Sequence, residues 1–160
     1  MYSKKSLTPD QAFQKIKQYC AYQERCHKEV TEKLCGYGLY KKDVEIILTN
    51  LIEENFLNEE RFAIAFAGGK FRMKQWGRVK IKYDLKQKGV SNFCIILALK
   101  EIDEEIYLKT VQSVATKKWE SLKGEQYLNR RAKTTAYLLQ KGFEQHLIAA
   151  AIEEIKGGNG

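Results

Sequence analysis

Leu34-Cys35-Gly36-Tyr37-Gly38-Leu39, Leu85-Lys86-Gln87-Lys88-Gly89-Val90 and Leu138-Leu139-Gln140-Lys141-Gly142-Phe143 are one phrase written three times. Each runs leucine, three residues, glycine, apolar residue, and Gly38, Gly89 and Gly142 stand 51 and 53 residues apart. A period of that size marks a repeat architecture. Five residues after the apolar residue a second pattern begins in every copy: Val44, Ile47, Leu48, Leu51; then Ile95, Ala98, Leu99, Ile102; then Ile148, Ala151, Ile152, Ile155. The offsets i, i+3, i+4, i+7 are one face of an α-helix.

The phrase reads as a helix whose last buried leucine precedes a turn. Glycine takes the left-handed position that costs other residues a steric penalty, and the apolar residue packs back before a new helix starts. A third helix leads each copy. Thr8-Pro9-Asp10-Gln11 has the form of a capping box with proline at the first helical position, followed by Phe13, Ile16, Tyr19 and Cys20 as an apolar face. Asn58 can cap the second leading helix, with Glu59 and Glu60 near its positive end and Phe62, Ala65 and Phe66 inward. Asp103 can cap the third, with Glu104 and Glu105 behind it and Ile106, Val111, Val114, Ala115 and Trp119 buried. The expected fold is all-α: three tandem three-helix, helix-turn-helix-like repeats over 8–55, 56–102 and 103–156. Short connections at Phe56-Leu57 and Glu101-Ile102-Asp103 suggest an elongated, curved array. Residues 1–7 and 157–160 are expected to fray.

Composition agrees. Of 160 residues, 44% are hydrophobic and 30% charged, which suffices for a core, and Pro9 is the sole proline, which favours long helices. No apolar run approaches the roughly 20 residues of a membrane span, and no signal-like apolar segment opens the chain, so a cytoplasmic protein with no membrane role is expected. Cys20, Cys26, Cys35 and Cys94 form no C-x-x-C pair and read as reduced thiols. His27 beside Cys26 matches no common zinc spacing, so no metal or other cofactor is expected.

The net charge of +8 points toward polyanions or an acidic partner surface. Lys70, Arg72, Lys74, Arg78, Lys80, Lys82, Lys86 and Lys88 face only Asp84 within residues 70–90, a local charge of +7. Arg78, Lys82 and Lys86 recur at i, i+4, i+8, and Trp76 and Tyr83 are interleaved where they could stack on bases. Lys117, Lys118, Lys123, Arg130, Arg131, Lys133 and Lys141 form a second cluster, diluted by Glu120 and Glu125. Phosphate contact or an acidic protein groove explains both clusters, and so does a solvated helix face. Acidic residues around the two module boundaries read as helix N-terminal charge. No phosphate loop, dinucleotide fingerprint or nucleophile elbow is present, and no paired carboxylates or nucleophile–base pair is singled out. Gly68-Gly69 follows no strand and reads as a kink or helix end rather than a nucleotide loop. A binding protein, not an enzyme, is the expectation.

Two segments carry a resemblance. Phe56-Leu57-Asn58-Glu59-Glu60-Arg61-Phe62-Ala63 and Trp76-Gly77-Arg78-Val79-Lys80-Ile81-Lys82-Tyr83-Asp84-Leu85-Lys86-Gln87-Lys88-Gly89-Val90 resemble motifs of the bacterial RecX family, modulators of the RecA recombinase, and Arg25-Cys26-His27-Lys28-Glu29-Val30 is similar to a third. The departures are Asn58 in place of one acidic residue, Gly68-Gly69 in place of an ordinary helical stretch, and Cys26 where serine is common. The resemblance spans about Gln11 to Ile155. It implies a monomeric regulator that lies in the groove of the RecA–single-stranded DNA filament, binds bare DNA weakly, and restrains recombination, coprotease activity and the SOS response. Lys70, Arg72, Lys74, Arg78, Lys82, Lys86, Arg130, Arg131 and Lys133 would then carry binding. Arg61, Phe62, Gly77, Leu85 and Gly89 would hold the modules. Charge reversal at Arg78 and Lys82 would weaken binding with little loss of thermal stability. The competing expectation is a general DNA-binding protein whose helix-turn-helix units enter grooves directly.

Overall fold

The computed structural model describes residues 6–158. Among them are nine helices and no strand: α1 (Pro9–Tyr22), α2 (His27–Gly36), α3 (Lys41–Glu53), α4 (Glu59–Lys74), α5 (Arg78–Gln87), α6 (Asn92–Lys100), α7 (Glu104–Ser121), α8 (Tyr127–Lys141) and α9 (Gln145–Gly158).

The thrice-written phrase does what its chemistry requires. Leu34, Leu85 and Leu138 are fully buried, each contributing about 2 kcal/mol relative to an exposed side chain. Gly38, Gly89 and Gly142 sit at φ 82, 78 and 95°, the left-handed region. Their amides donate to the carbonyls of Cys35, Lys86 and Leu139, each at 3.0 Å, satisfying carbonyls that the ending helix leaves free. Val90 and Phe143 follow, both buried.

The capping box at Thr8 is complete: its hydroxyl accepts from the Gln11 amide at 3.2 Å, and Gln11 returns a carbonyl oxygen to the Thr8 amide at 3.1 Å. Asn58 accepts from the Arg61 amide at 2.9 Å. Asp103 stands at the N-cap of α7 but makes no side-chain capping bond.

The chain forms two compact units. Met1–Ala65 with Leu85–Ile95 make the first, Phe66–Asp84 with Ile96–Gly160 the second. In the first, α1, α2 and α3 pack pairwise around Ala12, Ile16, Cys20, Val30, Leu34, Val44, Ile47, Leu51 and Leu57. In the second, α7, α8 and α9 pack pairwise, and Phe71, Tyr107 and Phe143 form an aromatic column with ring centroids 5.6 and 5.8 Å apart.

Several expected inward positions are displaced. Ile106 is 54% exposed, and its neighbour Tyr107 takes the buried place because its hydroxyl finds partners inside. Ala65 is exposed, while Ala63 and Ala67 are buried beside Phe62. α4 runs unbroken through Gly68-Gly69, so these residues are neither a helix end nor a loop. The helix ends instead at Gln75, which takes φ 55° without being glycine. The expected fraying is also corrected. The Leu7 amide donates to the Tyr37 carbonyl at 3.0 Å, and Gly157 and Gly158 belong to α9. Residues 1–5 and 159–160 lie outside the described residues.

Candidate nucleic-acid interface

In the second unit, lysines and aromatic rings alternate along one line of contacts. The Lys70 ammonium lies 5.5 Å from the Phe66 ring centroid and 4.9 Å from that of Trp76. Lys80 lies 4.4 Å from the Trp76 ring on α5's side. Next comes Lys141 of α8, its ammonium 5.7 Å from the Tyr137 ring and donating to the Lys74 carbonyl at 3.0 Å. Lys118 of α7 closes the line, 4.7 Å from the same ring. Partial burial and the like charge of Lys80 hold the Lys141 ammonium below the usual lysine range. Among the described residues, none of these lysines has a carboxylate within ion-pair distance. Crowded, uncompensated cations between π faces are what a single strand of nucleic acid can use: charge for phosphates, rings for bases.

The residues expected to bind divide into three kinds. Arg72, Lys74 and Lys82 of the second unit and Lys86 of the first are exposed, and Lys70 joins the lysine–aromatic line. Arg131 and Lys133 carry surface pairs, with Glu153 at 3.0 Å and Glu125 at 2.6 Å. Such solvent-screened pairs hold weakly and yield easily to a ligand. Arg130 is more firmly occupied, its Nε donating to the Trp119 carbonyl at 2.8 Å with the guanidinium 4.3 Å from the Trp119 ring.

Arg78 requires a correction. It is not a free member of a basic stripe. Its guanidinium donates to Glu144 at 2.8 Å and to Glu104, and stacks 3.7 Å from the Tyr107 ring centroid. Its side chain is 23% exposed and that of Glu144 21%. Burial pulls the Arg78 pKa down, but Glu144, Tyr107 and Glu104 outweigh it and leave the pKa raised. Charge reversal here would set a carboxylate against two others, a stability cost that the reading of Arg78 as part of a free stripe leaves out. The i, i+4 spacing reports which residues share a helix face. It is silent about carboxylates arriving from 26 and 66 residues away in sequence.

The motif residues have structural surroundings. Leu85 and Phe62 are buried. Arg61 donates to Glu24 at 2.5 Å and to the Asn55 carbonyl at 3.0 Å, and Glu59 accepts from the Ser91 amide at 2.7 Å. Gly77 is buried where α5 begins. Sequence reasoning passed over Tyr137, although Tyr137 and Lys141 are an i, i+4 pair readable on a helix. All four cysteines are free thiols. Among the described residues no helix is long and apolar enough to cross a membrane, and no acidic, histidine or cysteine group could hold a metal.

Comparison with known proteins decides the family. Residues 58–99 match the model for the second three-helix domain of RecX, and residues 104–152 match that for the third. Regulatory protein RecX of Prosthecochloris aestuarii is 31% identical over 137 residues, 86% of this chain and 88% of the relative. The chain belongs to the RecX family. RecX of Chlorobium phaeobacteroides is 30% identical over 132 residues, 82% of this chain and 85% of the relative. RecX of Bacillus cytotoxicus is 25% identical over 138 residues, 86% of this chain and 51% of that longer relative. The crystal structure of RecX from Lactobacillus salivarius superposes with a TM-score of 0.84 at 24% identity, covering 92% of this chain and 96% of that one. That likeness concerns the fold. RecX membership makes this chain one of a family of regulatory proteins built from three-helix domains.

Proposed function

We propose that this chain binds the filament RecA forms on single-stranded DNA, restrains its growth, strand exchange and coprotease activity, and so tempers the SOS response. What supports the reading is the conjunction of RecX membership with a line of lysines and rings that carries no compensating carboxylate among the described residues. The protein acts by binding rather than by catalysis, as a cytoplasmic monomer of three modules, 8–55, 56–102 and 103–156. Lys70, Arg72, Lys74 and Lys82 supply charge to the filament, with Lys86, Arg131 and Lys133 contributing as their surroundings allow. Arg78 and Arg130 hold the frame behind them.

The test is the ratio of two affinities measured against salt. A filament regulator binds RecA-coated single-stranded DNA at least tenfold tighter than the same DNA bare, at about 150 mM salt. A general DNA-binding protein binds bare DNA as well as the filament, with a steep salt slope. That outcome would replace the RecA reading.

A further inference from the structure

A notch of about 290 Å³ opens beside Tyr137, lined by Gln75 at the end of α4, by Val114, Lys117, Lys118 and Ser121 of α7, and by Tyr137 of α8. We propose that it is a binding site for a phosphodiester group of single-stranded nucleic acid. Lys117 and Lys118 supply the charge from one wall, and Lys141, beside Tyr137, supplies it from the rim. Tyr137 contributes a hydroxyl donor and a ring edge.

Three observations carry this. The notch is concave and holds two lysines with no carboxylate in its lining, so its field is positive and its walls concentrate it. Lys141 keeps its ammonium partly buried next to Lys80, tied to a neutral carbonyl rather than to an acid. An anion in the notch relieves that repulsion. Hydrogen-bonding capacity is also unspent. The Tyr137 hydroxyl and the Gln75 side-chain amide donate to no protein group among the described residues, the Gln75 backbone amide being taken by the Phe71 carbonyl at 3.0 Å, whereas Ser121 already donates to the Lys118 carbonyl at 2.6 Å and so can only accept. A phosphate oxygen accepts from lysine, tyrosine and glutamine alike. The notch has room for a phosphate group, and a backbone that must turn into a recess suits a flexible single strand better than a duplex.

The ligand class agrees with the function proposed above, but the test is separate from it. Binding of a fluorescent oligo-dT to the full-length chain, without RecA, is followed by anisotropy across a salt series. We expect Lys117→Ala/Lys118→Ala to weaken binding about tenfold and to flatten the salt slope by about 1.4, the value for two lost phosphate contacts on a single strand. Lys117→Glu, at an exposed position, should weaken it at least as much, and Tyr137→Phe about threefold. Lys41→Ala/Lys42→Ala, two exposed lysines of the first unit, should change it less than twofold. Equal effects of the two double variants would overturn the proposal, as would failure of the unaltered protein to bind oligo-dT at low salt. Displacement of oligo-dT by polyglutamate as readily as by unlabelled oligo-dT would assign the notch to an acidic protein instead. Should the variants lose oligo-dT while the unaltered protein leaves RecA filaments untouched, the notch stands and the RecA reading falls. The reverse result removes the notch alone.

Discussion

Gly77, at the start of α5, lies directly against the backbone of Gly142, at the end of α8. The Gly77 amide donates to the Lys141 carbonyl at 2.8 Å, and the Val79 amide donates to the Gly142 carbonyl at 2.9 Å. Between them the Arg78 amide donates to the Tyr107 hydroxyl at 3.0 Å. Three donors that a helix N-terminus leaves free thus meet acceptors, two of which a helix C-terminus leaves free. The opposed helix-end charges attract as well.

Because of that contact, alanine at Gly77 has nowhere to go. Its Cβ would fall on the Gly142 carbonyl and lie 2.5 Å from the Phe143 nitrogen, backbone atoms that cannot swing aside. Gly77→Ala should cost about 3 kcal/mol by urea denaturation. Gly69→Ala, inside α4 with nothing within 4 Å of the new carbon, should stabilise by about 0.5–1 kcal/mol. Equal effects would contradict the described contact.

Arg78→Ala should destabilise the second unit by about 2 kcal/mol, because Glu144 and Glu104 would be left without their cation. Arg78→Glu should cost more. A double-mutant cycle of Arg78→Ala with Glu144→Gln should be strongly non-additive, since each change removes the same bond. Additive effects would mean that the two side chains do not interact.

The Tyr107 hydroxyl donates to Glu144, and burial together with that bond raises its pKa well above the ordinary 10.0. A phenol whose folded pKa is raised contributes stability that is complete below pH 10 and is lost as pH climbs toward the folded value. The stability gap between the unaltered protein and Tyr107→Phe should therefore be constant from pH 7 to 9 and shrink above pH 10. A gap that widened there would reverse the assigned sign.

Gln75 ends α4 at φ 55°, a backbone region that costs a side-chain-bearing residue about 1 kcal/mol. Gln75→Gly should raise stability by about that amount. Since Gln75 also lines the notch, the same variant should bind oligo-dT slightly less well. Thermal melting and anisotropy on one preparation separate the two effects.

Arg130→Ala should lower stability by about 1 kcal/mol, because it removes both the bond to the Trp119 carbonyl and the contact with the Trp119 ring. Arg131→Ala should leave the melting midpoint unchanged within error, its pair with Glu153 being solvent-screened. Thermal melting of the two variants side by side checks the distinction.

The architecture was legible because it rests on local chemistry repeated three times. A buried leucine, a left-handed glycine and an i, i+3, i+4, i+7 face are decided within about fifteen residues, and so is the box at Thr8. The first failures come where two neighbours compete for one place. Ile106 is the more apolar, yet Tyr107 is buried because Glu144 and the Arg78 amide satisfy its hydroxyl. The site was legible only as charge. The sequence marks Arg78, Lys82 and Lys86 as one stripe, but Glu104 and Glu144 reach Arg78 through the tertiary fold. Tyr137 is readable beside Lys141 as an i, i+4 pair, but its contact with Lys118 of α7 comes only from the tertiary fold.

The most direct measurement follows ATP turnover by RecA on single-stranded DNA while this protein is added, with its affinity for the same DNA, free of RecA, measured under identical salt. Half-inhibition at a protein concentration at least tenfold below the bare-DNA dissociation constant is the result expected of a dedicated filament regulator. Inhibition that appears only as the protein saturates bare DNA would contradict it and leave simple competition for the strand.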